Sequence, residues 1–316
     1  MKYLAKKFCT LIITLLAVSL LSFLAFQVIP GDAAVSKLGT GATQEKAAKL
    51  RREMGLDRPV MERYGSWLKD FVQGDMGESY TYSLPVAGMI REKLPVTLAI
   101  AGMSFFFMLA VSIPLGLLAG RYGGRLPDRI LTVCNQIVMA VPGFFMGILL
   151  TCVFGLMFHW FTPGGYVSYQ ESPGGFFGYL VFPAIAIALP KCAMGVKLLR
   201  SSVIGELQQD YVRTAYSRGN SPRQVLYGHV LKNSLLPVIT FWALAIADIM
   251  ASSMILEQVF TAPGIGTLLV QSISNRDYPV VQAVIVLIAG LVVVVNFLVD
   301  LLYGVIDPRI NMRGEG

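Results

Sequence analysis

Six long apolar runs alternate with polar segments along this chain, at residues 8–29, 96–119, 130–158, 176–199, 235–260 and 280–306. Each is long enough to cross the roughly 30 Å hydrocarbon core of a bilayer as a helix, which takes about 20 residues. The pattern predicts an all-α integral membrane protein with six transmembrane helices. The first run follows Lys2, Lys6 and Lys7 and exceeds a signal-peptide core, so it reads as a retained helix. Residues 30–94 are polar, with nine acidic and ten basic residues, and form a small insertion after it. Within that insertion Gln44 to Met54 has helical character, with Thr43 as a cap.

The polar segment from Glu206 to Pro237 separates the fourth and fifth runs. Leu207, Tyr211, Thr214 and Ala215 fall at helical spacing on one face, with Asp210, Arg213 and Arg218 elsewhere on the turn. Gly219 is placed to end that helix in the left-handed conformation, which a residue without Cβ adopts readily. A second helix starts at once: Ser221 is an N-cap, Pro222 suits the first helical position, and Gln224 completes a capping box. The segment predicts an ordered helix, tight turn and helix, suited to docking in a partner's groove.

Composition agrees with a membrane protein: 55% hydrophobic residues, 14% charged, mean hydropathy +0.63. The net charge of +7 follows topology. With the N-terminus in the cytoplasm, Arg121, Arg125 and Arg129 fall in one inner loop, and Lys191, Lys197, Arg200, Arg213, Arg218, Arg223 and Lys232 in or beside the next. The facing short loops hold only Arg276, so both termini are expected in the cytoplasm. The same placement argues against nucleic acid as the partner of the basic helices. Cys9, Cys134, Cys152 and Cys192 lie singly in apolar runs and suggest neither disulfide nor metal site.

Prolines and glycines interrupt the spans at Pro114, Pro142, Gly143, Pro183 and Pro190, and Gly116 and Gly120 suggest a close helix contact. The chain has no GxxxxGK[ST] phosphate loop, HExxH pair or GxSxG elbow, so it does not hydrolyse ATP by itself. Asp248 lies near the middle of the fifth span, where an isolated charge is expensive. It and Asn135, near the start of the third, are the candidates for a translocation pathway.

The run QDYVRTAYSRG followed by HVLKNSLLP resembles the EAA loop of ABC importer permeases, in the version carried by the oligopeptide, dipeptide and nickel permeases. Pro30-Gly31-Asp32, GLDRP at 55–59, GDMGESY at 74–80, LPVTLAIA at 94–101, EQVFTAPGIGTLL at 257–269, NRDYPVVQ at 275–282 and VDLLYGVIDPRI at 299–310 are similar in order and spacing to that subfamily's first permease subunit. The resemblance implies a type I ABC importer permease fold: an N-terminal helix (1–29), an extracytoplasmic insertion (30–94), a permease domain (95–306) with a coupling helix at about 206–219, and a cytoplasmic tail (307–316). It implies that Asp210, Tyr211, Arg213, Thr214, Ala215, Arg218 and Gly219 couple the chain to an ATPase. Arg213, Thr214 and Ala215 stand where the motif has Glu-Ala-Ala, with Asp210 one turn earlier as an alternative carboxylate, and Gly219 matches its glycine.

The same resemblance implies a bacterial inner membrane, a second similar permease, two ATPase subunits that bind the ATP, and an extracytoplasmic substrate-binding protein. No cofactor is expected in this chain. Peptides are the expected cargo, with nickel or a metal chelate as the alternative. An ion-coupled secondary transporter using Asp248 is the alternative of a different class.

Overall fold

The computed structural model describes residues 2–28, 43–53 and 57–306. The Pro30-Gly31-Asp32 block, Gly55-Leu56 and the tail 307–316 lie outside them. Eleven helices follow in order among the described residues: α1 Lys2–Val28, α2 Gln44–Glu53, α3 Val60–Val72, α4 Val86–Arg121, α5 Leu126–Ala140, α6 Gly143–Met157, α7 Pro173–Glu206, α8 Asp210–Ser217, α9 Pro222–Phe260, α10 Ile265–Ser274 and α11 Tyr278–Ile306. They contain no sheet; one isolated antiparallel bridge joins Glu78 to Pro85. Five helices are long and apolar enough to cross a membrane, six if α5 and α6 count as one broken span.

The interruption expected at Pro142 and Gly143 is a sharp one, because α5 and α6 meet at 99°. The cause is local. Val141, just before Pro142, takes an extended conformation (φ −90°, ψ 122°), as the proline ring demands of its predecessor. Pro183 and Pro190 lie inside α7 without ending it. α7 packs against α5, α6 and α9, whose neighbouring groups can stand in for the lost backbone bonds.

The described residues form two compact units, one lying within 1–96 and 263–297, the other within 97–262 and from 298 on. In the first, Val86 and Ile90 of α4, Ile265 and Leu268 of α10, and Val280, Ala283 and Val284 of α11 form a buried core. α3 lies on α1 through Tyr64, whose hydroxyl is 2.8 Å from Ser19 Oγ and whose ring meets Phe23 edge-on. The insertion therefore carries real helices, and Thr43 caps α2 by accepting from the Lys46 amide at 3.4 Å.

A buried carboxylate, Asp277, fixes the loop before α4. It accepts from Ser79 Oγ at 2.5 Å and from the amides of Tyr80 at 2.9 Å and Thr81 at 3.3 Å. Burial, reinforced by the nearby Asp277 charge, pushes the Tyr80 phenol up to about 12, so it stays protonated.

In the second unit α4 lies directly on α7. A Cβ on Gly116 would come within 2.8 Å of Leu199 Cβ, one on Gly120 within 2.5 Å of Val203 Cγ1, and one on Gly195 within 2.9 Å of Ser112 Cβ. Positions 112, 116 and 120 thus meet 195, 199 and 203, both stepping by four, so one ridge lies along the other at backbone distance. Thr97 of α4 donates to the fully buried Glu257 of α9 at 2.6 Å.

Near the end of α7, Arg200 holds Asp128 of α5 through Nε and, at 2.7 Å, through a terminal nitrogen. The Gly124 amide adds 2.7 Å to the same carboxylate, whose residue is 1% exposed. A planar guanidinium matches both oxygens at once.

Two outcomes test these contacts. Gly120→Leu forces a side chain into Val203 and is expected to cost roughly 1–3 kcal/mol, seen as a lower thermal midpoint in detergent. Arg200→Met leaves Asp128 buried without its cation and is expected to cost about 2–3 kcal/mol, less than a wholly buried pair because Arg200 is partly exposed. An unchanged midpoint for either variant refutes the contact's importance.

Candidate coupling element and the charges beside it

α7 ends at Glu206, three residues turn, and α8 spans only Asp210–Ser217. The turn is closed by backbone bonds from Leu207 to Val203, Gln208 to Gly205 and Gln209 to Glu206. The element expected at about 206–219 is therefore the end of one helix, a turn and a separate two-turn helix. Asp210 stands in the first turn of α8, where a negative charge meets the unpaired amides.

The face that α8 buries differs from the one expected. Val212 (1% exposed) and Ala215 (7%) are buried and Tyr211 is half-buried, whereas Thr214 is exposed and turns its hydroxyl to the Asp210 carbonyl at 3.1 Å. Tyr211, Val212 and Ala215 share a face through steps of three and four, and Thr214 sits about 100° round the helix from Ala215. The step from Val212 to Ala215 carried the signal.

Arg213, Arg218 and Asp210 point outward. Asp210 and Arg213 lie 3.7 Å apart, with side chains 96% and 80% exposed, and such a pair adds little to stability. α8 thus presents a free charged edge and holds on through its other side.

Both sides of the turn from α8 to α9 are built as expected. Gly219 takes φ +82°, its amide donates to the Tyr216 carbonyl at 2.9 Å, and the Asn220 side chain returns to the Ala215 carbonyl at 3.1 Å. The capping box forms, with the Ser221 amide donating to Gln224 Oε1 at 2.8 Å and the Gln224 amide to Ser221 Oγ at 3.4 Å.

The tie that sequence reading missed is Tyr211. Its hydroxyl donates to Glu206 Oε2 at 2.6 Å and shares a hydrogen bond with the Asn233 side chain. One phenol thereby joins the end of α7, the start of α8 and the first membrane-proximal turns of α9. Burial, then the bond to the Glu206 carboxylate, raises its pKa.

One ion pair joins two of the apolar helices near their middles. Asp248 of α9 forms an ion pair with Lys191 of α7, their side chains 55% and 25% exposed in this single chain. The sequence presents Asp248 as a lone charge; the structure gives it a cation from the neighbouring helix. Asn135 is half-buried on α5 and has no hydrogen bond to that pair among the described residues.

Residues 112–312 match the family described as binding-protein-dependent transport system inner membrane component, and residues 1–101 match its N-terminal companion. The probable peptide ABC transporter permease protein y4tP of Sinorhizobium fredii is 34% identical, over 98% of this chain and 99% of its own length. The oligopeptide transport system permease protein AppB of Bacillus subtilis is 36% identical over 94% and 95%. The glutathione transport system permease protein GsiC of Escherichia coli is 32% identical over 99% and 100%. Among solved structures, a chain of the MetNI methionine ABC transporter shares the fold, with a TM-score of 0.56 over 69% of this chain and 96% of that one at 15% identity. The chain belongs to the binding-protein-dependent transport system inner membrane component family: it is a multi-pass permease subunit of an ABC importer, not itself an enzyme, and works with ATPase subunits and a substrate-binding protein.

Proposed function

We propose that this chain forms half of the translocation path of a peptide importer, with a second, similar permease as the other half and α8 as the helix that receives motion from a pair of ATPases. The observation that carries the reading is α8 itself, closed at its C-terminal end by Gly219 and Asn220, bound to its own chain through Tyr211, Val212 and Ala215, and exposed along its charged edge. An element that transmits force needs both a rigid root and an open face. Peptide cargo is supported by similarity over nearly the whole length to permeases named for peptides, oligopeptides and glutathione.

In this mechanism ATP, bound by the partner ATPases, closes them, and α8 moves with the groove that holds it. The displacement passes through Tyr211 to Glu206 and Asn233, and so to α7 and α9. The path then opens toward the loaded binding protein, and hydrolysis resets it. No bond chemistry falls to the permease. Both termini and α8 lie on the cytoplasmic side of a bacterial inner membrane, as the distribution of basic residues supports. Lys191 and Asp248 line the path, because charges left half-exposed within spans are tolerated beside water or protein rather than lipid.

Purification of the tagged chain in mild detergent is expected to recover a phosphate-loop ATPase and a second six-helix permease; recovery of the chain alone overturns the assembly. Gly219→Pro cannot reach φ +82° and Arg213→Glu reverses the open edge. Both are expected to reduce peptide uptake and binding-protein-stimulated ATP hydrolysis at least tenfold with normal membrane insertion. Tyr211→Phe removes only the hydroxyl, and with it the bonds to Glu206 and Asn233, and is expected to show a milder loss of the same kind; full uptake in all three variants refutes the coupling role. Asp248→Asn is expected to lower uptake while leaving basal ATP hydrolysis within twofold. Uptake driven by a proton gradient without ATP would replace the mechanism altogether.

A further inference from the structure

A groove of about 640 Å³ lies between α1 and α11, wholly within the unit of residues 1–96 and 263–297. Val18, Leu21 and Ala25 of α1 form one wall; Ile273 at the end of α10 and Val281 and Ile285 of α11 form the other. Both long helices are long and apolar enough to span a membrane, so the occupant of the trough has to be apolar over most of its length. The volume is that of a small-molecule site rather than of a helix seat.

Three polar side chains line the groove, one of them Tyr278 at the start of α11. Ser22 is 8% exposed, and its hydroxyl has no hydrogen-bond partner among the described residues. A buried hydroxyl in that state is costly, and helical serines ordinarily bond back to their own backbone. The third is Arg276, exposed and without an ion pair among the described residues.

Arg276 stands just past the end of α10 with φ +56°, and its amide closes the last turn on Ile273 at 3.1 Å. That conformation is the usual place of glycine or asparagine. The adjacent Asp277 makes no ion pair with Arg276 among the described residues and turns its oxygens to Ser79, Tyr80 and Thr81. No Asp or Glu lines the groove. A cation, an unpartnered hydroxyl and an apolar trough thus share one surface, and a guanidinium fork fits phosphate oxygens in two-point fashion.

We propose that the groove is a binding site for one anionic glycerophospholipid, its phosphate on Arg276, an ester oxygen on Ser22 and an acyl chain between α1 and α11. An anionic headgroup is favoured over a zwitterionic one because the rim offers a positive charge and no carboxylate for a headgroup amine. The lipid supplies contact between α1 and α11 that the side chains along the groove leave unmade.

The test uses the assembled transporter in nanodiscs of equal phosphatidylglycerol and phosphatidylcholine, released into mild detergent and weighed intact by native mass spectrometry. The wild type is expected to retain one phosphatidylglycerol per chain in preference to phosphatidylcholine. Arg276→Gln is expected to lose that preference roughly tenfold, the equivalent of one charge-assisted contact. Ala25→Trp, on the exposed rim of the trough, is expected to remove both lipids while the complex stays intact. A cysteine at Ala25 is expected to react with a lipid-soluble maleimide in membranes. Equal retention of the two lipids by the wild type, unchanged retention in Ala25→Trp, or loss of the bound lipid to inorganic phosphate alone overturns the proposal. So does a disulfide from that cysteine to a helix of the second permease, which would make the groove a protein interface.

Discussion

The contact of α4 on α7 is the constraint from which the membrane-embedded part of the second unit follows. In lipid there is no hydrophobic drive between two apolar helices, so close approach and dispersion must hold them. Gly116, Gly120 and Gly195 permit that approach, and Leu199, Val203 and Ser112 fill the space their missing side chains leave. Because the steps of four match on both helices, the register is fixed as well as the distance. Arg200 then falls on the turn between Leu199 and Val203, placed to grip Asp128, and Lys191 falls one turn before Gly195 beside Asp248.

From that seam, rigidity continues to the end of α7. The Arg200–Asp128 pair ties α7 to the loop before α5, and Glu206 ties it to Tyr211. An unpaired Asp128 would be expensive in that buried position, so the guanidinium fixes a geometry even if a well-packed apolar pair would be as stable. α8 hangs from this framework by one phenol and two small apolar residues. Among the described residues its outer edge makes bonds only within α8 itself, the distribution expected of a surface meant for another protein.

Much of this was legible in the sequence wherever a single strong local signal acts. The long apolar runs, the Ser221 capping box, the left-handed Gly219 and the close approach at Gly116 and Gly120 each follow from one residue type in one geometry. Face assignment on α8 was not, because in eight residues Thr214 and Val212 flank the Tyr211–Ala215 stripe on opposite sides, and Val212 is the one buried. Pro142 broke its helix whereas Pro183 and Pro190 did not. The rings are identical, but Gly143 follows Pro142, whereas Pro183 and Pro190 lie in a helix packed against α5, α6 and α9. Lys191 and Asp248, 57 positions apart, carry no sequence sign of pairing.

The family-like blocks, read singly, also hid their physical reason. Ser79 lies in GDMGESY and Asp277 in NRDYPVVQ; Thr97 lies in LPVTLAIA and Glu257 in EQVFTAPGIGTLL. In each pair a hydroxyl donates to a carboxylate that is 0% exposed, across 198 and 160 positions of chain. A buried acid tolerates few substitutes, since removing its donors leaves an unsatisfied group and shortening it leaves the donors unsatisfied. Four stretches that look like separate signatures are thus two joints. Each joint can be recognised in sequence only as a pair of fixed motifs, because neither half has a local role that demands its residues.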